Sequence, residues 1–272
     1  MIHPPKAATP RRTPRRRGAE TSAGPVVAIV PAPPRAPEPA ARVGGAGRGA
    51  YPRRAAGGFF RDPDDVRALG GLIPSLFAGK GPDQAVRVWV AGCGAGEEAW
   101  SIAILLAEHA ATLPHPASWQ IFATDTDAVA CARARNALYL ASTVAGVPAA
   151  RLGRFFTWEG GGYRVAGPLR ADVRFSTHDV LRDAPFERLD LVSCRGLLAV
   201  LPADERARVI ETFRGALRPG GVLFLGPGES PGDGAGFGPA ADAHPVYRRD
   251  AAPAPDLPGG AVLVHAAAGS AT

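Results

Sequence analysis

Cysteine is scarce in this sequence of 272 residues, which contains only Cys93, Cys131 and Cys194. None of the three belongs to a Cys-x-x-Cys pair or to a Cys/His spacing that holds a metal ion. This usage argues against a metal site and favours a reducing cytoplasm. We expect all three thiols to be buried and to act as small apolar residues.

Long apolar runs are also missing near the N-terminus. The longest candidate, 26–30, is far too short to span a bilayer, and prolines follow it at once. It does not fit a secretory signal, because it is short and lies behind prolines and a long basic stretch. We therefore predict no membrane insertion.

The first part of the chain has few acids and nearly no aromatic residues. Residues 1–58 hold eleven basic and two acidic side chains, so the basic excess of the whole chain belongs to this part. Its Pro, Ala and Gly content predicts a disordered basic tail over 1–56, and 251–272 has a similar composition. The arginine cluster at 11–17 suits nucleic acid, anionic lipid or an acidic partner, or it is a solvated tail without a partner.

What the sequence does have is a glycine-rich turn between a strand and a helix. An apolar strand over 86–90 is followed by Gly92, Gly94 and Gly96. Closely spaced glycines let a backbone bend tightly and approach a bound molecule, as nucleotide-type cofactors require. A second strand ends at Asp125, where a ribose-binding carboxylate lies in such folds.

Glu97 decides which cofactor this turn suits. A dinucleotide fingerprint requires Gly or Ala at this position, so that helix and strand pack closely beside a pyrophosphate. Glu97, followed by Glu98, would repel a pyrophosphate and suits a cationic ligand that carries hydroxyl groups. We therefore favour S-adenosylmethionine over NAD, with a turn that serves packing alone as the remaining alternative.

The order of elements predicts an α/β fold of the Rossmann-like methyltransferase type, with a mostly parallel sheet covered by helices on both faces. We assign this domain to 57–250. A segment over 138–172 is predicted to project from it as a small β-hairpin subdomain, and inserted hairpins often serve recognition. The predicted helices cover 63–77, 98–109, 127–136, 148–155 and 204–217, and the strands 86–90, 121–124, 156–158, 163–165, 173–176, 189–193, 222–225 and 244–248.

Six motifs in one order resemble those of the CheR-type chemotaxis methyltransferases, which use S-adenosylmethionine to methylate glutamate side chains of bacterial chemoreceptors. The resemblance covers about residues 57–249. The motifs are Gly58-Phe-Phe-Arg-Asp62, Gly92-Cys-Gly-Ala-Gly-Glu-Glu-Ala-Trp-Ser101, Phe122-Ala-Thr-Asp-Thr-Asp127, His178-Asp-Val-Leu181, Asp190-Leu-Val-Ser-Cys-Arg195 and Pro219-Gly-Gly-Val-Leu-Phe-Leu-Gly-Pro-Gly-Glu-Ser230.

The resemblance implies a role for individual residues of this chain. Arg61 corresponds to an arginine beside the donor that takes part in catalysis, and Glu97 to the acid that binds the donor after the glycines. Asp125 corresponds to the carboxylate that holds the ribose hydroxyls. The remaining implied donor contacts are Asp179 and Val180 along the adenine, and Arg195 and Gly196 after the fourth strand of the parallel sheet.

Several family positions are different in this sequence. A threonine and an asparagine before the two phenylalanines are replaced by Gly57 and Ala55, and an asparagine after the arginine of the fourth strand is replaced by Gly196. A tyrosine that helps orient the acceptor or donor is replaced by Val200, which removes a hydroxyl and an aromatic face. We also expect the chain to lack the family's helical N-terminal domain.

Three functions follow from these observations. The first is a cytoplasmic protein-glutamate O-methyltransferase that acts on chemoreceptor-like helices. The second is a catalytically degenerate relative that serves as an interaction module in signalling. The third is a methyltransferase with another substrate. We favour the first, since the acids of the cofactor site are present.

Overall fold

A computed structural model describes residues 58–251 of the chain. The predicted tail over 1–56 and nearly all of the predicted tail over 251–272 lie outside the described residues, as do Ala55 and Gly57. Within 58–251, no helix has the length and apolar character needed to cross a membrane. The same stretch contains no cluster of three or more His, Cys, Asp or Glu side chains placed to hold a metal ion.

Five of the six α-helices in the described residues follow the predicted pattern closely, and the short helix Gly167–Ala171 was not predicted. Leu69, Ile73 and Leu76 form the buried face of the first helix, as their three- and four-residue spacing predicts. The helices are α1 (Pro63–Phe77), α2 (Glu97–Ala110), α3 (Ala128–Asn136), α4 (Ala149–Phe155), α5 (Gly167–Ala171) and α6 (Ala203–Ala216), and a 3-10 turn covers Leu198–Val200.

The strands form one large sheet and one small one. They are β1 (Ala85–Ala91), β2 (Ser118–Asp125), β3 (Leu138–Leu140), β4 (Phe156–Glu159), β5 (Gly162–Val165), β6 (Val173–Thr177), β7 (Leu189–Cys194), β8 (Leu217–Leu225), β9 (Phe237–Pro239) and β10 (Val246–Arg249). The seven-stranded sheet has the order β6-β2-β1-β7-β8-β10-β9, in which β10 is antiparallel to both of its neighbours, β8 and β9, and all other pairs are parallel.

The prediction of a mostly parallel, doubly covered sheet is confirmed. Every residue of β7 is buried, as expected for a strand with helices over both faces. Trp89 on one face and Trp100 on the helix that covers the other are both almost inaccessible to solvent. The chain order reverses between β1 and β7, and ligands of open α/β sheets bind at the carboxyl ends of strands beside such a switch point.

The inserted segment forms a separate three-stranded antiparallel sheet with the order β3-β5-β4. The predicted hairpin is β4 and β5, connected by Gly160 and Gly161 with positive φ angles. Phe59, from the Phe-Phe-Arg motif, packs edge-on against Tyr139 and Phe156 of this small sheet. The hairpin subdomain is therefore anchored to the segment that precedes α1.

The side chain of Asp62 does not have the capping role that the sequence predicts. The Asp-Pro-Asp-Asp run predicts a capped helix start, and α1 does begin at Pro63. However, the Asp62 side chain makes no capping hydrogen bond, because its carboxylate accepts a 2.7 Å hydrogen bond from Arg195, which directly follows β7. At α3 the aspartate before the helix does act as a cap, since the Asp127 carboxylate accepts from the amides of Val129 and Ala130.

Candidate active site

A cavity of about 580 Å³ lies at the carboxyl ends of β1, β2, β6 and β7. This volume is within the roughly 300–1,000 Å³ of small-molecule sites. Its wall is formed by the glycine turn, the start of α2, the loops after three strands and the segment before α1. The predicted site residues in this wall are Arg61, Gly92, Gly94, Glu97, Asp125, Val180, Arg195 and Gly196.

The glycine turn is fixed to β2 by backbone hydrogen bonds. The amides of Gly92 and Cys93 both donate to the Thr124 carbonyl at 2.8 Å. A Cβ on Gly94 would meet no heavy atom within 4 Å, although the residue has a φ of +55°. The backbone of the turn at Gly94 is therefore accessible from the cavity.

Gly96 serves packing rather than the cavity wall. Its φ is +97°, and an added Cβ would lie 2.8 Å from Ala134 Cβ and 3.0 Å from the Tyr139 hydroxyl. That hydroxyl donates to the Ala95 carbonyl at 2.7 Å. Burial raises the pKa of Tyr139, so the phenol stays protonated and keeps this bond. The absence of a side chain at Gly96 lets α3 and the small sheet pack against the turn.

The Asp125 carboxylate lies at the edge of the cavity and also fixes the glycine turn through hydrogen bonds. One carboxylate oxygen accepts from the Gly94 amide at 2.8 Å, and the other accepts from the Asp127 amide at 2.9 Å. Each carboxylate oxygen has a second lone pair, so both remain able to accept from a ligand. The sequence predicted a ribose-binding carboxylate here, and the structure gives the same carboxylate a structural task.

Two acids at the start of α2 line the cavity together. Glu97 is the first residue of the helix and Glu98 the second, and both are half-buried. The Ser193 hydroxyl donates to Glu98 Oε1 at 2.6 Å. Burial raises the pKa of Glu98, and the charges of Arg195 and Arg61 together with the Ser193 hydrogen bond oppose this rise.

Sequence reasoning selected Glu97 as a donor contact and used Glu98 only as a second negative charge that disfavours a pyrophosphate. The structure places the Glu98 carboxyl on the cavity wall with a fixed orientation, because Ser193 on β7 holds one of its oxygens. The signal was present in the sequence as two consecutive acids. The serine partner is 95 residues away, so nothing local indicated the pairing.

Arg61 and Arg195 differ in how much of each guanidinium group already binds other groups of the protein. The Arg61 side chain is 36% exposed, and its Nε lies 3.5 Å from an Asp62 carboxylate oxygen. The Arg195 side chain is 2% exposed, and all three of its nitrogens donate to protein oxygens. Arg61 therefore keeps donors available for a ligand, while most of the Arg195 guanidinium is used within the protein.

The loop after β7 contains the two substituted family positions Gly196 and Val200, and both line the cavity. Glu229 Oε2 accepts from the Gly196 amide at 2.9 Å, and Oε1 accepts from the Ala199 amide at 2.8 Å. Oε2 also accepts from the Gly226 amide at 2.7 Å. Glu229 thus fixes the backbone of this loop, although the sequence did not single it out.

The segment after β6 presents His178 and Val180 to the cavity. Asp179 is not among the described residues of the wall, because its carboxylate accepts from the Leu181 amide at 2.9 Å within a local turn. The His178 Nε2 lies 3.1 Å from the Ala184 carbonyl oxygen. The predicted adenine segment therefore contributes the apolar Val180 side chain to the wall, while the Asp179 carboxylate stabilises the turn.

The three cysteines are unpaired and buried, as predicted. Cys93 lies in the cavity wall beside Asp125, and the neighbouring Cys131 thiol together with burial raises its pKa. Burial also raises the pKa of Cys194. Neither Cys93 nor Cys194 has the lowered pKa of a nucleophilic thiol, so both act as small core residues.

The chemistry of the wall fits a cationic ligand. Glu97 and Glu98 add negative charge at a helix start that would otherwise favour a phosphate. Asp125 offers carboxylate lone pairs to hydroxyl groups, and Val180 offers an apolar surface. These features match an amino group, a sulfonium, a ribose and an adenine, and they disfavour a pyrophosphate.

Comparison with known proteins also indicates a site for S-adenosylmethionine. The family model described as "CheR methyltransferase, SAM binding domain" matches residues 56–233. A chemotaxis protein methyltransferase of Vibrio cholerae is 31% identical over 176 residues, which are 63% of this chain and 61% of that protein. A Listeria monocytogenes chemotaxis protein methyltransferase is 31% identical over 144 residues, or 53% of each chain.

A further relative, an uncharacterised 104.1 kDa protein of Rhodobacter capsulatus, is 36% identical over 173 residues. The match covers 63% of this chain and 18% of that protein. The chain thus spans less than two thirds of the length of each of these relatives. Among solved structures, a TehB-like SAM-dependent methyltransferase from Corynebacterium glutamicum matches with a TM-score of 0.38 and 13% identity, over 68% of this chain and 84% of that one.

Proposed function

Because this chain belongs to the CheR methyltransferase family and matches its S-adenosylmethionine-binding domain, we propose that it methylates glutamate side chains of a chemoreceptor-like protein. The observation that supports this proposal is a cavity lined by Glu97, Glu98 and Asp125 with Arg61 at the same wall. The acids suit the donor, and the arginine suits a carboxylate acceptor. The proposed setting is the cytoplasm, where unpaired cysteines stay reduced.

Different residues of the wall are proposed to contact chemically different parts of the donor. Glu97 and Glu98 would attract the positively charged methionine end, since opposite charges a few ångströms apart favour binding. Asp125 would accept hydrogen bonds from the ribose hydroxyls. Val180 would pack against the adenine. When bound, S-adenosylmethionine supplies a methyl group on a sulfonium that keeps the bonding electron pair, so the acceptor needs only a lone pair.

Arg61 is proposed to contact the donor, beside which the family resemblance places it, and to orient the acceptor. Its side chain is 36% exposed, and its guanidinium can donate to both oxygens of a glutamate carboxylate, which fixes the direction of the attacking lone pair. Correct placement of two reactants can supply roughly 7–11 kcal/mol of a barrier. Arg61 therefore acts through position and charge, without taking or giving a proton.

The reaction requires no general base. A glutamate carboxyl group has an ordinary pKa of about 4.3 and is ionised at neutral pH. The Ser193 hydroxyl donates to Glu98, and His178 Nε2 lies against the Ala184 carbonyl, so these two groups form no nucleophile–base pair. The polar groups at the wall are suited to a nucleophile that arrives ionised, as a carboxylate does.

A second candidate is a relative that binds the donor and does not transfer its methyl group. The specific observation is Val200, which lines the cavity where the family has tyrosine. A lost hydrogen bond in the transition state costs about 1–3 kcal/mol. One such loss would slow transfer by roughly one to two orders of magnitude, by the usual tenfold per 1.36 kcal/mol.

Methyl transfer to a purified cytoplasmic chemoreceptor fragment tests the proposal. The full chain is incubated with this fragment and donor labelled with tritium in the methyl group. We expect label on the fragment that alkali releases as methanol, because a methyl ester hydrolyses and an N-methyl group does not. A fragment with its candidate glutamates changed to aspartate, and the variant Arg61→Ala, are the controls for acceptor and enzyme.

The outcomes separate the candidates. Alkali-labile label that depends on Arg61 supports the proposal. Alkali-stable label points to another acceptor and refutes a glutamate ester. If the protein binds S-adenosylhomocysteine but transfers no label, and Val200→Tyr does transfer label, the results support the second candidate.

A further inference from the structure

We propose that Arg195 and Asp62 form a clamp that holds Arg61 in its place at the cavity, so that both act on the donor site through Arg61. The family resemblance assigns Arg195 to the donor itself. The hydrogen bonds of Arg195 point instead to a positioning residue. This inference rests on the proposed function only for the part that Arg61 plays.

The backbone on both sides of Arg61 is strained. Phe60 has a φ of 51° and Asp62 a φ of 55°, and neither is a glycine. Residues with a side chain rarely adopt this left-handed region, and a large aromatic residue does so least readily. Two such residues around one arginine persist only where the surrounding structure fixes them.

The Phe60 side of the loop is fixed by α2. The Phe60 amide donates to Ser101 Oγ at 2.9 Å, and the Ser101 hydroxyl donates to the Glu97 carbonyl at 2.7 Å. The Phe60 ring lies 4.4 Å beneath the Arg151 guanidinium. One side of Arg61 is thus attached to the same helix that carries the cavity acids.

The Asp62 side of the loop is fixed by Arg195. Nη1 of Arg195 donates to the Arg61 carbonyl at 3.2 Å, and Nη2 donates to Asp62 Oδ2 at 2.7 Å. Nε donates to the Leu225 carbonyl at 3.3 Å, and the guanidinium lies 4.6 Å from the Phe224 ring centroid. A guanidinium with this many partners and 2% exposure is rigid, so it transmits the position of β7 and β8 to the loop.

Asp62 links the two arginines. Its Oδ2 accepts from Arg195 and lies 3.5 Å from Arg61 Nε. The left-handed conformation turns the Asp62 side chain away from the start of α1, which explains why it makes no cap there. The same carboxylate therefore orients the Arg61 side chain while Arg195 holds the Arg61 backbone.

The contacts predict a specific energetic pattern. If Arg195 and Asp62 act through Arg61, changing them in a chain that already lacks the Arg61 side chain has no further effect on donor binding. If Arg195 contacts the donor, its loss has the same effect with or without Arg61. A double-mutant cycle distinguishes these two cases.

Calorimetric titration of the full chain with S-adenosylhomocysteine provides the first readout. We expect Arg195→Lys, Asp62→Asn and Arg61→Ala each to weaken binding at least fivefold. In the Arg61→Ala background, Arg195→Lys and Asp62→Asn should each change affinity less than twofold. Arg164→Lys and Asp64→Asn are the matched controls, because both alter surface ion pairs outside the clamp by the same substitutions and should leave affinity unchanged.

Hydrogen exchange at the Phe60 amide provides a second readout that needs no ligand. Exchange should be at least tenfold faster in Arg195→Lys and Asp62→Asn, and unchanged in Arg61→Ala, because the clamp acts on the backbone. The conservative variant Asp62→Asn tolerates the left-handed conformation, so it still reports on the clamp if Arg195→Lys fails to fold.

Two results would overturn the clamp: unchanged exchange at Phe60 in the clamp variants, or an equal loss of affinity from Arg195→Lys with and without Arg61. Faster exchange in the clamp variants together with full affinity in Arg61→Ala supports the clamp and contradicts the proposed contact of Arg61 with the donor. The test therefore separates an error in the clamp from an error in the proposed function.

Discussion

Asp125→Ala and Glu97→Ala should differ in stability even if both weaken donor binding. Asp125 accepts hydrogen bonds from the Gly94 and Asp127 amides at 2.8 and 2.9 Å, so its removal leaves two backbone donors without their charged partner. Glu97 is the first residue of α2, where its charge interacts with the helix dipole. The two substitutions therefore remove different kinds of interaction.

The magnitudes can be worked out from these contacts. A hydrogen bond to a charged group contributes about 1.5–3 kcal/mol, so Asp125→Ala should lower the free energy of unfolding by about 3–6 kcal/mol. Since Asp125 is half-buried, water replaces part of this loss and the lower end applies. Glu97→Ala removes a dipole interaction of roughly 0.3–1 kcal/mol.

Donor affinity is the second quantity in the comparison. Loss of one charge-assisted contact to the donor costs about 1.5–3 kcal/mol, which weakens binding by roughly one to two orders of magnitude. Glu97→Ala should show this loss with little change in stability. Asp125→Ala should show it together with a destabilised turn, so affinity alone does not identify a ribose contact.

Denaturant unfolding measures the first quantity, and calorimetric titration with S-adenosylhomocysteine measures the second. Asp125→Asn is the informative control, because the amide keeps one acceptor oxygen and has nearly the same shape. It should recover about half of the lost stability. If Asp125→Ala were as stable as the wild type, the carboxylate would not hold the glycine turn and our account of the site would be wrong.

Two further predictions concern α2 and the glycine turn. The pKa of Glu98 is raised by burial, so its contribution to stability is fully present below its ordinary value of 4.5 and is lost as pH rises through the raised folded value. Glu98→Gln should flatten this decline in denaturant unfolding measured from acid to neutral pH, and an unaltered pH profile would contradict the assignment. Gly96→Ala should lower the free energy of unfolding by about 1–3 kcal/mol, because its Cβ would lie 2.8 Å from Ala134 Cβ at a φ of +97°. Gly94→Ala, which also has a positive φ but meets nothing within 4 Å, should lose less, and equal losses would refute the packing role of Gly96.

The main elements of the fold could be predicted because they have strong periodicity. The unbroken apolar run of β7 and the buried positions of α1 have clear patterns, and both elements form where predicted. The short strands β3 and β9 were missed, since three residues carry no periodic signal. The fifth strand of the large sheet begins at Leu217 rather than at the predicted Val222, because it also includes the Pro-Gly-Gly stretch between the predicted helix and the predicted strand.

The site could be predicted where its determinants are local. The glycine turn and Asp125 occupy fixed places after adjacent strands, so their meeting follows from the topology. The partners that orient the other side chains are distant in sequence. Ser193 lies 95 residues from Glu98, and Arg195 lies 133 residues from Asp62, so their pairing became visible only in the folded chain.

The proposed donor binding and the proposed methyl transfer depend on different parts of this molecule. Glu229 accepts from the amides of Gly196 and Ala199 in the loop after β7 and from the amide of Gly226 directly after β8, so these bonds fix the loop without any side chain at position 196 or 200. The family's asparagine and tyrosine can therefore be lost here while the backbone around the donor site keeps its shape. A chain with this arrangement can retain donor affinity while its transfer rate changes, which is why binding and transfer have to be measured separately.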